Sequence, residues 1–276
     1  MKKPEVVILC GGKSTRLNLD RRQLRQDLVL NDQSAVKPKP LIEIGGRPIL
    51  WHIMKIYAHY GYKKFILCLG FQGEYIKKYF CDYRMLSSEF TLIMDPLKDP
   101  EIHSTADHLD WEITFVDTGI DTQKGGRLKR AEKYIKSDNF HVTYGDGVAN
   151  IDINKLFDYH VSHKRIGTVT GVKPPSRFGE LTLSEGKVIR FEEKPQLETG
   201  IINGGFFVFK KEFLDYLTPD IDCDLEFGAL QRLAQEGELQ SYIHDGFWQC
   251  VDTARDKDYM DGLWSKNRAD WKVWNE

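Results

Sequence analysis

Short apolar runs alternate with stretches of helical period along most of the chain. Val6, Val7, Ile8 and Leu9 form an unbroken, largely β-branched run. That is the pattern of a strand buried on both faces, the usual first strand of a parallel sheet. Phe65–Leu69, Trp111–Val116, Phe140–Tyr144 and Thr168–Val172 are strand-like, and Ile42–Ile44 and Phe90–Met94 add shorter segments. Ile49, Ile53, Ile56 and Tyr57 recur at helical spacing behind Pro48, with Gly61 placed to end the helix after Tyr60. Tyr75–Phe80, Ile153–His160 and Leu225–Gln235 predict further helices. Strands alternating with helices in this way specify an α/β fold. Asn18–Val36 interrupts the alternation: it is polar, carries Arg21, Arg22 and Arg25, and reads as a short helix or loop with a solvated face. The tail holds Trp264, Trp271 and Trp274, more than a frayed end needs, so it is predicted to pack on the body or on another subunit.

Composition narrows the class. The 276 residues are 41% hydrophobic and 29% charged, an ordinary globular profile able to bury a large core. We expect one domain over 1–276, with a polar insertion at 18–36. The formal net charge of −2 supplies no global field toward nucleic acid or a membrane, so any phosphate recognition is local. The opening M-K-K-P-E-V-V-I-L has too short an apolar run for a signal-peptide core, and no stretch is apolar enough to span a bilayer. Five scattered cysteines without a C-x-x-C pair indicate neither a zinc site nor a disulfide framework. A reducing cytoplasm fits that usage.

The chemistry is concentrated in the turns. Gly11 and Gly12 directly follow the first strand, small polar residues come next, and then Arg16. Open α/β sheets bind ligands beyond the C-terminal ends of their strands. Glycines there let backbone N–H groups approach phosphate oxygens, and an arginine adds fixed positive charge. Two familiar phosphate motifs fail. The dinucleotide fingerprint G-x-G-x-x-G meets Lys13 where its second glycine belongs, and the P-loop's first glycine falls on Val7.

Further along, Lys37–Leu41 reads K-P-K-P-L; the prolines predict an extended strip holding Lys39 as a positioned cation, with a surface turn as the alternative. Asp117–Arg130 places glycines before a cationic helix. Gly145-Asp146-Gly147 and Asp252 each put a carboxylate just after a strand-like segment. Mg²⁺ takes one or two carboxylates and keeps its waters, while an Asx turn or helix cap is the other role for either residue. His103 and His108 fall in a polar loop without metal-ligand spacing and read as solvent-facing.

Taken together, the motifs resemble a known family. An opening G-G-x-G-T-R-L is matched by Gly11, Gly12, Thr15, Arg16 and Leu17, with Lys13 and Ser14 departing from it. R-P-K-P is matched by Lys37–Pro40, with Lys37 in place of arginine. P-I-L-W-H-I-M-K-I-Y and the segments Lys124–Arg130, Thr143–Ala149, Ile202–Val208 and Gly246–Thr253 are more specific still. From Val6 to Trp274 the chain resembles the nucleotidyltransferases that activate sugar-1-phosphates, most of all the subgroup that uses CTP.

That resemblance implies a Rossmann-like fold, a central mixed, mostly parallel sheet flanked by helices. It implies transfer of a cytidylyl group from CTP to glucose-1-phosphate, with CDP-glucose and pyrophosphate as products. Arg16 and Lys39 would be catalytic. Leu9, Gly11, Gly12, Ser14, Thr15, Arg16, Thr122, Arg127 and Gly145 would bind the nucleotide. Lys39, Gly179, Glu193, Lys194, Asn203 and Gly204 would bind the sugar phosphate, and Asp146 and Asp252 would carry Mg²⁺. The subgroup is typically oligomeric, so a homo-oligomer is expected, with no nucleic-acid or membrane partner. A uridylyl- or thymidylyltransferase on the same scaffold, or a catalytically silent nucleotide-sugar sensor, are the alternatives; a dehydrogenase would need the missing fingerprint.

Overall fold

The apolar run at the start becomes strand β1 (Val6–Leu9), all four residues of which are buried in the computed structural model. The structure describes residues 3–12, 37–95, 97–105, 109–174, 179–184, 186–193 and 200–275. Ser14, Thr15, Arg16, Lys194, His108 and the 18–36 segment therefore lie outside the described residues. Downstream come β2 (Glu43–Ile44) and β3 (Arg47–Pro48), a tight hairpin, then β4 (Lys64–Leu69). The pair β5 (Ser88–Thr91) and β6 (Glu101–Thr105) precedes β7 (Glu112–Asp117), β8 (Asn139–Tyr144), β9 (Gly147–Ala149) and β10 (Gly167–Val172). A second hairpin, β11 (Gly179–Ser184) with β12 (Lys187–Glu193), leads to β13 (Ile202–Lys210), β14 (Leu239–His244) and β15 (Trp248–Cys250). The helices are α1 (Ile49–His59), α2 (Gly73–Leu86), α3 (Lys124–Ala131), α4 (Ile153–His163), α5 (Gln231–Gln235) and α6 (Ala254–Ser265).

Seven strands form one sheet in the order β14-β10-β13-β8-β1-β4-β7. β1 pairs parallel with both β4 and β8, β4 with β7, and β10 with β14, while β13 runs antiparallel to both its neighbours. This is the mixed, mostly parallel sheet that the resemblance implies. From β1 the chain builds β4 and β7 on one side and β8 on the other, so the strand order reverses between β1 and β8. Such a reversal opens a crevice at the strands' C-terminal ends.

Alternation along β1 divides the core. Val6 and Ile8 pack in a cluster with α1, Phe65 and the C-terminal Trp271, whereas Val7 and Leu9 join Leu128 of α3, Phe213 and Leu230 on the other face. The tail thus packs on the body. Trp271 is fully buried, and its indole N–H donates to His52 Nδ1 at 3.4 Å while His52 Nε2–H donates to the Ile44 carbonyl at 2.9 Å.

Several local expectations change. The Phe90–Met94 strand is instead β5, and the polar loop carrying His103 is its partner β6, with His103 Nε2 hydrogen-bonded to Thr91 Oγ1 at 2.8 Å. Cross-strand pairing, which a polar composition conceals, decides that hairpin. The glycines expected before the cationic helix, Gly125 and Gly126, lie inside the first turn of α3. A Cβ on either would come within 2.8 Å or 2.3 Å of the Cys223 and Asp220 carbonyl oxygens, so close backbone approach selects glycine there. The expected helix Leu225–Gln235 divides into a π-helical turn, Leu225–Leu230, followed by α5. Among the described residues no helix is long and apolar enough to cross a membrane.

Three buried imidazoles link this core to pH. Burial pulls His52 down to about 4, His141 to about 3 and His160 to about 4. In the unfolded chain the same rings take up protons near 6.5. Between those values the unfolded state binds more protons, so their contribution to stability is complete above about 6.5 and is lost as pH falls toward 4. Urea midpoints should therefore decline steadily from pH 7 to pH 4.5; a midpoint that stays level over that range would contradict this account.

Candidate active site

Register brings the two glycine turns together. Leu9 is the parallel partner of Tyr144, so the chain leaves β1 and β8 at the same level, and the Gly145 N–H donates to the Leu9 carbonyl at 3.2 Å. Asp252 arrives from a hundred residues away by a second pairing. Strand β15 lies antiparallel to β9 with Cys250 opposite Gly147, and the Val251 N–H donates to the Asp146 carbonyl at 2.9 Å. Asp252 is the next residue, which sets both carboxylates at one edge.

Lys39 completes the cluster from a third segment. The extended strip expected at Lys37–Leu41 is instead a 3₁₀ turn, Lys39–Leu41, entered from an extended Pro38. Pro40 has no N–H to leave unsatisfied in a first turn, and Pro40 and Leu41 are buried, so core contact overrides the pre-proline preference. The turn aims the lysine inward. Its Nζ lies 2.6 Å from Asp146 Oδ2 and 2.5 Å from Asp252 Oδ1, with the side chain 17% exposed. Burial pulls the ammonium pKa down, but the two carboxylates outweigh it and hold Lys39 above the usual lysine value. Beside them, burial together with Asp252 and Asp146 pushes the Cys250 thiol up to about 12, so it stays protonated and donates to Asp252 at 3.5 Å.

Arg127 has a different setting. Its guanidinium donates to the Leu69 carbonyl (3.0 Å), Thr118 Oγ1 (2.9 Å), and the carbonyls of Gly119 (2.6 Å), Gly11 (3.0 Å) and Ile120 (3.0 Å). These five bonds tie the ends of β1 and β4 to the loop after β7. Gly11 is packed under that group: a Cβ there would stand 2.1 Å from Arg127 Cζ. Among the described residues, a Cβ on Gly12 would meet nothing within 4 Å. Of the two glycines, only Gly11 is packed against described residues this closely. Thr122 is buried, and its hydroxyl accepts from Arg130 at 2.8 Å.

A cleft of about 700 Å³ opens over these residues. It gathers most of the described residues expected at the site: Leu9, Gly11, Gly12, Lys39, Thr122, Arg127, Gly145, Asp146, Asn203, Gly204 and Asp252 all line it. Gly179 and Glu193 are the first backbone pair of the β11–β12 hairpin. The cleft also holds residues that sequence reasoning passed over as site residues: Lys124, Tyr144, Glu226 and Trp248. The Trp248 indole donates to the Gly204 carbonyl at 2.8 Å. Tyr144 read only as the end of a strand and Glu226 only as part of a helix. The one local hint was Asp224, whose carboxylate caps the turn by accepting from the Glu226 and Phe227 N–H groups, each at 2.7 Å.

Residues 5–264 match the family model described as nucleotidyl transferase. The glucose-1-phosphate cytidylyltransferase of Salmonella typhi is 44% identical over 271 residues, covering 98% of this chain and 99% of that protein. A Bacillus subtilis protein described as "probable glucose-1-phosphate cytidylyltransferase" is 43% identical over 270 residues, covering 98% of this chain and 100% of its own. Among solved structures, HddC from Yersinia pseudotuberculosis shares the fold, with a TM-score of 0.64 at 22% identity over 95% of this chain and 100% of that one.

The two glycines should respond differently to the same change. Gly11→Ala forces the Arg127 head group out of a five-bonded site and should lower stability by about 1–3 kcal/mol, the scale of overpacking. Gly12→Ala should stay within about 0.5 kcal/mol of the parent. Chemical denaturation of both variants decides it, and equal losses would remove the distinction.

Proposed function

This chain belongs to the nucleotidyl transferase family, and from that premise we propose that it transfers a cytidylyl group from CTP to glucose-1-phosphate, forming CDP-glucose and releasing pyrophosphate. The observation that carries the reaction type is Lys39 held between Asp146 and Asp252 at the mouth of the Gly11-Gly12 turn. Near-full-length identity of 43–44% to the two proteins described as cytidylyltransferases supports the choice of substrates.

Nucleotidyl transfer asks for positioning and charge neutralisation more than for an acid–base pair. An oxygen of the sugar phosphate attacks the α-phosphorus of CTP as the bond to the pyrophosphate oxygen breaks. Lys39, held charged, is the cation for the phosphate groups that meet there. Leu9, Gly11, Gly12 and Gly145 offer backbone at the nucleotide end, with Thr122 and Arg127 as further nucleotide contacts there. Asn203 and Gly204 serve the sugar-phosphate end, with Gly179, Glu193 and Lys194 expected there from the resemblance. Ser14, Thr15 and Arg16 are expected at the triphosphate on the same ground.

Asp146 and Asp252 suit Mg²⁺. Their oxygens converge on one cation, the Lys39 ammonium, which shows that the two side chains can share a single positive charge. Among the described residues no group of three or more His, Cys, Asp or Glu gathers as a metal site, and Mg²⁺ accepts two carboxylates when substrate oxygens and water complete its shell. Bound there, it would supply Lewis-acid charge at the α-phosphate. The five cysteines are free thiols, in keeping with a reducing cytoplasm. Exposed Leu92, Met94 and Leu97, following β5, are in keeping with a homo-oligomer.

Pyrophosphate release measured across nucleoside triphosphates and sugar-1-phosphates tests the assignment. CTP with glucose-1-phosphate should give the highest kcat/KM, with other bases down by as much as ~10⁴-fold where buried partners are left unpaired. Equal values for CTP and UTP would replace the cytidylyl reading with a broader pyrimidine one. In the same assay Lys39→Ala should lower kcat by roughly 10²–10³-fold, the scale of losing one electrostatic stabiliser. Unchanged kcat with a raised KM would reduce Lys39 to a binding residue.

A further inference from the structure

Lys124, Tyr144, Asn203 and Glu226 line one wall of the cleft and form a continuous chain of contacts. The Lys124 ammonium donates to Glu226 Oε1, and the Tyr144 hydroxyl lies 2.6 Å from the same oxygen. Asn203 Nδ2 lies 3.0 Å from the Tyr144 hydroxyl, and the Gly205 N–H donates to Asn203 Oδ1 at 2.9 Å.

Elementary chemistry gives that chain one direction. An ionised carboxylate can only accept, so Tyr144 gives its single hydroxyl hydrogen to Glu226. The phenol oxygen is then an acceptor, and the atom of Asn203 facing it has to be the amide nitrogen. From the other end, a backbone N–H at Gly205 calls for the amide oxygen on its own side. Both ends require the same orientation, which is how the two faces of an amide are told apart. Asn203 therefore has its oxygen and one N–H engaged, and the second N–H is what it offers the cleft.

The wall is also held mechanically. Gly205 has φ +82°, and a Cβ there would stand 2.4 Å from the Tyr144 ring, so the backbone of β13 packs flat against the phenol. The Lys124 ammonium sits 5.0 Å over the same ring. Burial, then the charge of Glu226, raises the Tyr144 phenol above its ordinary range and keeps it a donor. Pairing with Lys124 offsets the desolvation of a carboxylate that is only 24% exposed.

We propose that Glu226 and Tyr144 are positioning residues that set the polarity of Asn203, so that the cleft presents an amide N–H to an oxygen of the sugar phosphate. This rests on the sugar-1-phosphate reading of the site and deepens it, because it assigns a donor, not an acceptor, to that end. Glu226→Gln keeps the shape but can donate as well as accept, which releases the direction of the chain. Tyr144→Phe removes the link, and Asn203→Asp replaces the offered donor by an acceptor.

Steady-state kinetics of the full-length enzyme should show KM for glucose-1-phosphate rising roughly 10-fold in each variant, the loss of about one hydrogen bond. KM for CTP should stay within about 2-fold. Because Glu226 acts through Asn203, Glu226→Gln combined with Asn203→Ala should be no worse than Asn203→Ala alone. Equal rises in both KM values, or additive effects in the double variant, would overturn the proposal. Calorimetric titration of glucose-1-phosphate into the same variants gives the comparison without turnover. Wild-type binding with weakened variants supports the polarity argument whichever nucleotide is used. Wild-type turnover on glucose-1-phosphate with unweakened variants overturns that argument and leaves the function standing, whereas no wild-type binding of this sugar phosphate defeats both.

Discussion

Arg127 carries a full charge into the interior at 4% exposure, and the five acceptors around it are backbone carbonyls and one hydroxyl, with no carboxylate among them. Burying a charge is unfavourable unless hydrogen bonds replace its water, so the acceptors as a set hold the guanidinium in place. They belong to the turn after β1, the end of β4 and the loop after β7. Those three segments cannot separate without stranding the guanidinium, and the floor of the cleft is held in place by that requirement. Burial draws the Arg127 pKa down from the usual arginine value, yet arginine remains charged in proteins, so the constraint persists. Gly11 and Gly70 follow from it, since a Cβ at either would fall 2.1 Å or 2.4 Å from the guanidinium.

Lys39 solves the opposite problem. Two carboxylates brought to one edge by the β9–β15 pairing repel unless a cation lies between them. The ammonium supplies it, and its elevated pKa expresses the same attraction from the lysine's side. The two cations therefore divide the work. Arg127 is surrounded by dipoles and organises backbone, whereas Lys39 is surrounded by charge and belongs to the chemistry proposed for the cleft. The Tyr144–Glu226 wall adds a third device, in which the sense of each hydrogen bond carries the information.

Some of this could be read along the chain because it depends on neighbours in sequence. An unbroken apolar run predicts a strand buried on both faces, and β1 is that strand, with Val7 and Leu9 on one core and Val6 and Ile8 on the other. Pro48 before a helical period predicts the start of α1, and Gly61 after Tyr60 predicts its end. Glycines set off from β1 by one residue, and directly after β8, mark the turns that line the cleft. The resemblance added the sheet type and the family.

Tertiary structure decided the rest. Lys37–Leu41 looked extended because proline chemistry is local, but burial of Pro40 and Leu41 outweighs it and turns Lys39 inward. Arg127 stood out along the chain only through the resemblance, and its five partners come from segments that meet only after β1, β4 and β7 pair. Tyr144 and Glu226 are 82 residues apart and each is unremarkable in its own segment. The sequence by itself determined which stretches become strands and helices, where the turns fall and what chemistry each turn could carry, since backbone preference and hydrophobic period act over a few residues. Which charges neutralise one another, which glycine is packed against the guanidinium and which way an amide faces were decided only by the folded sheet, because hydrogen bonds and ion pairs act across space with no regard for distance along the chain.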